Sequence, residues 1–469
     1  MFRILAAGGA TIFSAEPLLA QQEALPPKLV LQITVDQLRG DLIDRFGAGF
    51  GEGGFNYLLN NGLHYANAHH RHANNETIVG HTTLSTGTDP GIHGMVANLW
   101  FDRDSGTTFY NVQDPDYALV GAAGIDADTE IDPTQRADGR SPRNILTSTI
   151  GDEIRMHYGP EVKVFGVSIK DRGAISFAGH SGQAYWFSKS EGRFVTSTFY
   201  RDDYPAWMSA WHDKGLVGSY AGTQWELMLP EENYRFAARD DQSWETDFPG
   251  WGITFPHSYG AADSKVYTTL LTLSPAGDEI TVNFAKALMV AEDVGQDEVP
   301  DFMSVSLSST DYVGHLFGPS SLESEDNLKR LDAALADLLG FVDETVGLEN
   351  TLVVLSADHG APEAPGYLAS VGIEARHFSF DEADTAPGFA RLKAGFGISD
   401  ELIESFTNPY VYLNSEVIAD AGLDAAEVEA AVARELQALP GIALALSSSA
   451  LRADALPDTR ISRAVRANF

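Results

Sequence analysis

The chain has 469 residues, 44% of them hydrophobic and 10% aromatic, which is enough apolar content for a large buried core and too much for a disordered polypeptide. Its 66 acidic residues outnumber its 31 lysines and arginines, for a net charge of −35, so nucleic acid and anionic membranes are not expected as specific partners. Because the sequence contains no cysteine, disulfides, iron–sulfur clusters and cysteine nucleophiles are excluded.

The N-terminus is typical of a secretory signal peptide over residues 1–20. Arg3 precedes a short apolar run, and Ala20 offers a small residue for cleavage. We therefore expect a periplasmic or secreted protein; the alternative is a disordered or helical extension. No later stretch approaches the ~20 apolar residues that a helix needs to span a bilayer.

Four later apolar runs predict the strands of an α/β fold. They are residues 29–35, 162–169, 302–307 and 351–356. Continuous apolar character predicts strands that are covered on both faces, as in a parallel sheet. Helices are predicted between them over 145–156 and 322–342, the second with a capping box at Ser320 and Glu323. This alternation predicts a central, mostly parallel sheet flanked by helices.

The middle and the tail of the chain differ from this pattern. Residues from about 180 to 275 include a segment rich in aromatic residues, glycine and aspartate with weak periodicity, and we expect an inserted cap beside the sheet. In the tail, a helix is predicted over 425–439, stopped by Pro440, and a strand over 442–446.

Acidic and imidazole side chains follow three of the predicted strands. They are Asp36 after the first, Asp311 and His315 after the third, and Asp358 and His359 after the fourth. Because ligands bind at the carboxyl ends of the strands in open α/β sheets, we expect these side chains to converge. Three clustered carboxylates are unfavourable without a cation, and aspartate with histidine suits Zn²⁺. Taken singly, each residue also fits a helix cap or a turn.

Two further segments fit phosphate chemistry. Thr77 precedes small and hydroxyl residues that can open a helix, whose free N–H groups bind phosphate, and a threonine hydroxyl becomes a nucleophile once deprotonated. The alternative is an N-cap threonine. Lys170 and Arg172 would share one side of a continuing strand, where an ammonium and a guanidinium can hold a phosphoryl group. The alternative there is a solvated strand end.

Six motifs occur in one order along the chain. They are Val-Asp-Gln at 35–37, Thr-Ile-Val-Gly-His-Thr at 77–82, Gly-Met-Val-Ala-Asn-Leu-Trp-Phe-Asp at 94–102, Ser-Ile-Lys-Asp-Arg-Gly-Ala at 168–174, Ser-Thr-Asp-Tyr-Val-Gly-His at 309–315 and Ala-Asp-His-Gly at 357–360. In this set the sequence resembles the alkaline phosphatase superfamily, in particular the periplasmic, phosphate-irrepressible alkaline phosphatases with a threonine nucleophile. The similarity covers roughly residues 29–469 as one catalytic domain.

The resemblance implies a site with two Zn²⁺ ions. One ion would be bound by Asp36, Thr77, Asp358 and His359, and the other by Asp311 and His315. Thr77 would attack phosphorus and become a phosphothreonine, which water then hydrolyses.

The resemblance also implies the substrate class. Asn98, Lys170 and Arg172 would bind the phosphoryl oxygens of small-molecule phosphate esters, and the two cations favour monoesters. Related diesterases keep the zinc ligands and the Thr/Asn pair but lack the Lys/Arg pair. A phosphodiesterase or nucleotide pyrophosphatase on the same scaffold therefore stays the alternative. A sulfatase is unsupported, since the cysteine that becomes formylglycine is absent.

The sequence departs from the family pattern in one ligand. The second zinc of the family takes a further histidine near the C-terminus. The last histidine here, His377, follows the Ala-Asp-His-Gly motif at 357–360 too closely to be that ligand. We therefore expect a C-terminally truncated chain, with an inactive metal-binding remnant as another alternative. Six further histidines are assigned to supporting positions, His81 and His93, or to a loop, His64, His69, His70 and His72.

Overall fold

A six-stranded sheet organises the part of the chain that the computed structural model describes, which is residues 26–121, 139–378, 380, 383 and 386–469. The signal peptide expected over residues 1–20 lies outside these residues. Among the described helices, none has the length and apolar character that crossing a bilayer requires.

The strands form one large sheet and three two-stranded ones. In chain order they are β1 (Leu29–Val35), β2 (Leu99–Asp102), β3 (Thr107–Tyr110), β4 (Val164–Ser168), β5 (Gln183–Ser188), β6 (Arg193–Val195), β7 (Gln224–Trp225), β8 (His257–Ser258), β9 (Asp301–Leu307), β10 (Thr351–Ser356), β11 (Ile403–Thr407) and β12 (Tyr410–Leu413).

Helices connect these strands. In chain order they are α1 (Leu42–Phe46), α2 (Phe55–Asn61), α3 (Thr77–Thr86), α4 (Pro90–His93), α5 (Ile150–Tyr158), α6 (Asp171–Ala178), α7 (Ala206–His212), α8 (Tyr267–Thr272), α9 (Pro275–Ala291), α10 (Ser309–Phe317), α11 (Leu322–Thr345), α12 (Pro365–Ser370), α13 (Pro387–Phe396), α14 (Ser415–Asp420), α15 (Ala425–Gln437), α16 (Ser448–Arg452) and α17 (Arg460–Asn468).

The large sheet has the order β10-β1-β9-β4-β5-β6, and every neighbouring pair is parallel except β5 and β6. In register, Leu29 of β1 pairs with Thr351 of β10 and with Asp301 of β9. The carboxyl ends of these three strands therefore meet at one edge of the sheet. The predicted α/β architecture with a mostly parallel sheet is confirmed.

Helices cover both faces of the sheet. Side chains from β1, β4 and β9 pack with α9 and α11 in the largest apolar cluster, and α3 and α6 pack on the opposite face in another. The central strands are buried for this reason. The expectation that the strand over 351–356 is covered on both faces is wrong, because β10 is an edge strand whose Leu352 and Val354 side chains are 52% and 39% exposed.

Two predicted helix starts are corrected by their caps. The helix expected from residue 145 begins at Ile150, because Thr149 forms a capping box with Asp152. At α11 the N-cap is Ser321, whose side chain accepts a hydrogen bond from the Ser324 N–H. The capping box predicted at Ser320 and Glu323 is therefore wrong.

The expected cap and tail are also partly corrected. The segment assigned to a cap from about residue 180 begins inside the large sheet, since β5 and β6 belong to it. Aromatic side chains farther along, including Trp225 and Trp251, join the largest apolar cluster. That the rest of this segment forms a cap stays a prediction. The helix over 425–437 agrees with expectation, whereas residues 442–446 form no strand.

Candidate functional site

Three buried carboxylates meet at the carboxyl ends of the central strands. Asp36 directly follows β1, Asp311 lies in the first turn of α10 after β9, and Asp358 follows β10. Their exposed fractions are 0%, 3% and 0%. Asp36 Oδ1 and Asp358 Oδ2 are buried and accept no hydrogen bond from any described residue. Carboxylate oxygens of this kind are costly unless a cation or a proton satisfies them.

Two imidazoles complete the set predicted from the sequence. His359 Nε2 lies 3.4 Å from an oxygen of Asp36, 3.6 Å from one of Asp358 and 3.9 Å from one of Asp311. The other ring nitrogen of His359 lies 2.9 Å from its acceptor, the Gly360 carbonyl, which leaves Nε2 as a ligand atom. His315 Nε2 lies 3.2 Å from Asp311 Oδ1, one turn along α10, and its side chain is 68% exposed.

His81 also reaches the cluster. Its Nδ1 lies 2.9 Å from Asp358 Oδ2 and 3.0 Å from the Thr77 carbonyl, and its Nε2 lies 2.8 Å from Ser306 Oγ. From the sequence, His81 is expected only in a supporting position. Its spacing of four residues from Thr77 on α3 is the one sequence feature that places it on the same helix face as Thr77, and so near the carboxylates.

The donor set fits a divalent cation. Ligand atoms of Asp36, His81 and Asp358 lie close together, and so do those of Asp36, Asp311 and His359. Oxygen and nitrogen donors at this density suit Zn²⁺. Three buried carboxylates, with Asp36 Oδ1 and Asp358 Oδ2 making no hydrogen bond of good geometry with the described residues, supply the electrostatic reason for binding it.

A buried ammonium lies among the carboxylates. Lys170 Nζ donates to Asp36 Oδ2 at 2.7 Å and to Asp311 Oδ2 at 2.5 Å. Burial alone would raise the pKa of Asp36 and Asp311, but the Lys170 charge holds both pKa values below their usual range. In return, the two carboxylates outweigh the effect of burial and raise the pKa of Lys170 to about 12.

Thr77 lies at the N-terminus of a helix beside this ammonium. It is the first residue of α3, with Glu76 as the N-cap, so it is not the N-cap threonine of the alternative interpretation. Its Oγ1 lies 3.4 Å from Lys170 Nζ, and the residue is 3% exposed. Gly80 allows the segment 357–360 to approach α3, because a Cβ at Gly80 would lie 2.0 Å from the Asp358 carbonyl oxygen.

Asn98 is held against the same helix end. Its Oδ1 accepts a hydrogen bond from the Ile78 N–H at 3.2 Å, and its own N–H donates to the Glu76 carboxylate. The side chain of Asn98 is thereby fixed beside the first turn of α3.

Lys170 and Arg172 do not lie on a continuing strand, so that expectation is wrong. β4 ends at Ser168, Lys170 is the N-cap of α6, and Arg172 lies in its first turn. Both side chains are nevertheless buried. Arg172 donates to the Tyr110 hydroxyl at 3.3 Å, and Tyr110 donates to Asp171 at 2.6 Å. This network orients the guanidinium, and no sequence pattern had identified Tyr110.

The remaining histidines lie where supporting roles were expected. His93 Nε2 is 3.1 Å from Thr83 Oγ1, and its Nδ1 accepts from the Met95 N–H. The cluster from His64 to His72 is loop, and His377 is exposed in a loop.

The chain is similar over most of its length to known alkaline phosphatases. Residues 30–448 match the family model described as type I phosphodiesterase / nucleotide pyrophosphatase. Alkaline phosphatase PafA of Elizabethkingia meningoseptica is 35% identical over 442 residues, covering 94% of this chain and 78% of that protein. Alkaline phosphatase PhoV of Synechococcus elongatus is 38% identical over 355 residues, covering 75% of this chain and 62% of that protein. The crystal structure of wild-type PafA superimposes with a TM-score of 0.86 at 34% identity, covering 95% of this chain and 83% of that one.

Proposed function

Because the chain belongs to the type I phosphodiesterase / nucleotide pyrophosphatase family and to the PafA-like members of the alkaline phosphatase superfamily, we propose that it hydrolyses small-molecule phosphate monoesters. The catalysis is metal-dependent and takes place at the carboxyl ends of the central strands. We further propose that the protein works in the periplasm or outside the cell, on the strength of the N-terminal sequence pattern.

Two Zn²⁺ ions are proposed as the cofactor. Their ligands would be Asp36, Thr77, Asp358 and His359 for one ion, and Asp311 and His315 for the other. When bound, such ions neutralise the carboxylates, polarise a phosphoryl oxygen and lower the pKa of a coordinated hydroxyl. Support comes from the buried Asp36 Oδ1 and Asp358 Oδ2, which face ring nitrogens of His359 and His81 but make no hydrogen bond of good geometry with the described residues.

The residues of the chain carry out the bond changes in two steps. Thr77 loses its hydroxyl proton and its Oγ bonds to phosphorus, while the bond from phosphorus to the ester oxygen breaks and the leaving alkoxide takes up a proton. A water oxygen then attacks the phosphothreonine, which releases inorganic phosphate and restores Thr77. The positive end of the α3 dipole and the Lys170 ammonium offset charge on the phosphoryl oxygens.

The substrate class rests on two buried cations, Lys170 beside Thr77 and Arg172 two residues farther along the chain. A monoester carries one more negative charge on its transferred group than a diester does. Lys170 lies 3.4 Å from the Thr77 hydroxyl, and Arg172 is held by Tyr110 in the adjoining turn. Asn98 adds an amide that can donate to the same group. The buried Lys170 ammonium beside the nucleophile, with the buried Arg172 guanidinium in the adjoining turn, is the observation that favours a monoesterase over a phosphodiesterase.

Matched aryl phosphate monoester and diester substrates test this assignment. In the variant Arg172→Ala we expect kcat/KM for the monoester to fall about 10²–10³-fold, the range for losing one charged contact to the transition state, with at most about a tenth of that loss for the diester. The control Arg155→Ala removes a guanidinium that donates to the Val162 carbonyl and should leave both rates unchanged. Equal losses on both substrates would instead favour the phosphodiesterase.

A further inference from the structure

The residue after the first metal-binding aspartate has an unusual backbone. Gln37 has φ of 64°, in the left-handed region that residues with a side chain seldom adopt. Such a conformation persists only where its surroundings hold it in place. Gln37 is also 5% exposed, so its amide is buried at the carboxyl end of β1 beside the carboxylates.

This backbone turn lets Gln37 contact two carboxylates from distant parts of the chain. Its main-chain N–H donates to Asp358 Oδ1 at 3.0 Å, and its side-chain Nε2 donates to Asp311 Oδ1 at 2.7 Å. Asp358 belongs to one of the two proposed ligand sets and Asp311 to the other. A single residue therefore contacts both sets.

The helix that carries Asp311 leaves room for this amide. Gly314 lies on α10 one turn after Asp311, and a Cβ at Gly314 would lie 2.1 Å from Gln37 Oε1. Any residue larger than glycine at this position would displace the side chain of Gln37. The glycine of the Asp-Tyr-Val-Gly-His motif thus provides the space that the Gln37 amide occupies. The spacing of the metal ligands in that motif does not reveal this requirement.

We propose that Gln37 is a positioning residue for the metal site; this inference rests on the proposed function. A carboxylate that accepts a hydrogen bond on one oxygen is fixed in orientation and keeps its other lone pairs for a cation. A neutral amide supplies that hydrogen bond without adding a positive charge that would oppose the cation. The side-chain bond orients Asp311, and the main-chain bond orients Asp358.

The two bonds predict a selective defect. Gln37→Met keeps the length of the side chain and the main-chain N–H but removes the amide donor. Gly314→Ala leaves the glutamine in place but pushes its amide away from Asp311. In both variants we expect zinc affinity at the Asp311/His315 site to fall about 10–100-fold, as for lost partners of metal ligands, while affinity at the Asp358/His359 site stays within about threefold.

Zinc stoichiometry and chelator-competition release rates measure this, with thermal unfolding recorded alongside. The matched control is Gln32→Met, because Gln32 is a buried amide of β1 whose hydrogen bonds to described residues go to Ile33, Thr34 and Ser356 rather than to a proposed metal ligand. Gln32→Met should release both ions as the wild type does. Monoester turnover by Gln37→Met should recover towards the wild-type rate as free zinc is raised.

Wild-type zinc retention in both Gln37→Met and Gly314→Ala would overturn the inference. So would equal release of both ions, or a lowered melting temperature with unchanged affinity. A wild-type protein that retains zinc but turns over no monoester would refute the proposed function alone, because the release rates would still compare the variants. A wild-type protein that retains no zinc would refute both.

Discussion

The buried carboxylates of Asp326 and Asp358 are equally hidden from solvent, each 0% exposed, but they differ in their hydrogen-bond partners. Asp326 on α11 accepts from the Trp225 indole at 2.6 Å, the Tyr234 hydroxyl at 2.5 Å and the Arg330 guanidinium at 2.8 Å. Its negative charge is therefore satisfied within the protein, and it ties the aromatic segment to the core.

Asp358 is satisfied on one side only. Its Oδ1 accepts from the main-chain N–H groups of Gln37 and His359, whereas its buried Oδ2 faces two ring nitrogens, His81 Nδ1 at 2.9 Å and His359 Nε2 at 3.6 Å, and makes no hydrogen bond of good geometry with the described residues. Burial alone therefore does not distinguish structural from functional carboxylates. The number of hydrogen-bond donors that each oxygen receives does distinguish them.

The largest predicted effect is the loss of activity in Asp358→Asn. The amide cannot supply the second charged oxygen, so we expect zinc to be lost from this site and kcat/KM for a monoester to fall at least about 10³-fold, as when an essential catalytic group is removed. The metal-free variant should unfold within about 1 kcal/mol of the metal-free wild type, since the amide oxygen still accepts from the main-chain N–H groups of Gln37 and His359 and the substitution removes one buried charge. If Asp358→Asn retained all of its zinc, the distinction between Asp358 as a metal ligand and Asp326 as a structural carboxylate would be wrong.

Asp326→Asn should show the opposite pattern. Removing the charge that faces Arg330 and two other donors is expected to lower the free energy of unfolding by about 3 kcal/mol, with zinc content and turnover per folded molecule unchanged. Denaturant unfolding with metal analysis measures both. The control is Asp337→Asn on the same helix, whose exposed ion pair with Lys286 should contribute less than about 1 kcal/mol.

Glu245 is a third kind of buried carboxyl, and its protonation makes the stability of the fold depend on pH. Neither of its oxygens accepts a hydrogen bond from a described residue, and burial, reinforced by Glu323, raises its pKa to about 9. A group whose pKa is raised on folding binds an extra proton in the folded state between its two pKa values. Stability is therefore lost as pH rises from about 5 to 9, with a slope of up to about 1.4 kcal/mol per pH unit.

Glu245→Gln should remove that slope. Relative to the wild type at equal zinc, the variant should gain stability progressively towards pH 9 and gain nothing near pH 5, as measured by denaturant unfolding at each pH. A difference that does not change with pH would show that Glu245 is satisfied in some other way.

The smallest effect is expected at the start of the helix that carries Asp326. Ser321→Ala removes the N-cap acceptor of the Ser324 N–H and should lower the free energy of unfolding by about 1 kcal/mol. Ser320→Ala, which instead removes a donor to Glu363, should leave the helix cap intact, and hydrogen exchange at Ser324 distinguishes the two.

The convergence of the metal-site carboxylates could be predicted from the sequence because it depends only on the strands being parallel. Parallel strands end at the same edge, so Asp36, Asp311 and Asp358 could be brought together without knowing their register. The positions of Gln37 and Tyr110 could not be predicted, because their contacts depend on the φ of one residue and on the packing of distant elements. Lys170 was assigned to a strand for a similar reason, since nothing in its local sequence shows that β4 stops at Ser168.

The limits of periodicity appear in the edge strand and the tail. The sequence of β10 is as apolar as that of β1, but only its position in the sheet order leaves Leu352 and Val354 exposed. Residues 442–446 are apolar and still form no strand, since an apolar run needs a partner strand to supply its hydrogen bonds.

If the strand-end residues bind metal as a pair of sites, the zinc content of the purified wild-type chain shows it. After dialysis against metal-free buffer, we expect about two zinc ions per chain, the number that a two-metal phosphoryl-transfer site requires, and a loss of zinc in Asp358→Asn. A wild-type chain that retains one ion or none, with the same content in Asp358→Asn, would contradict it.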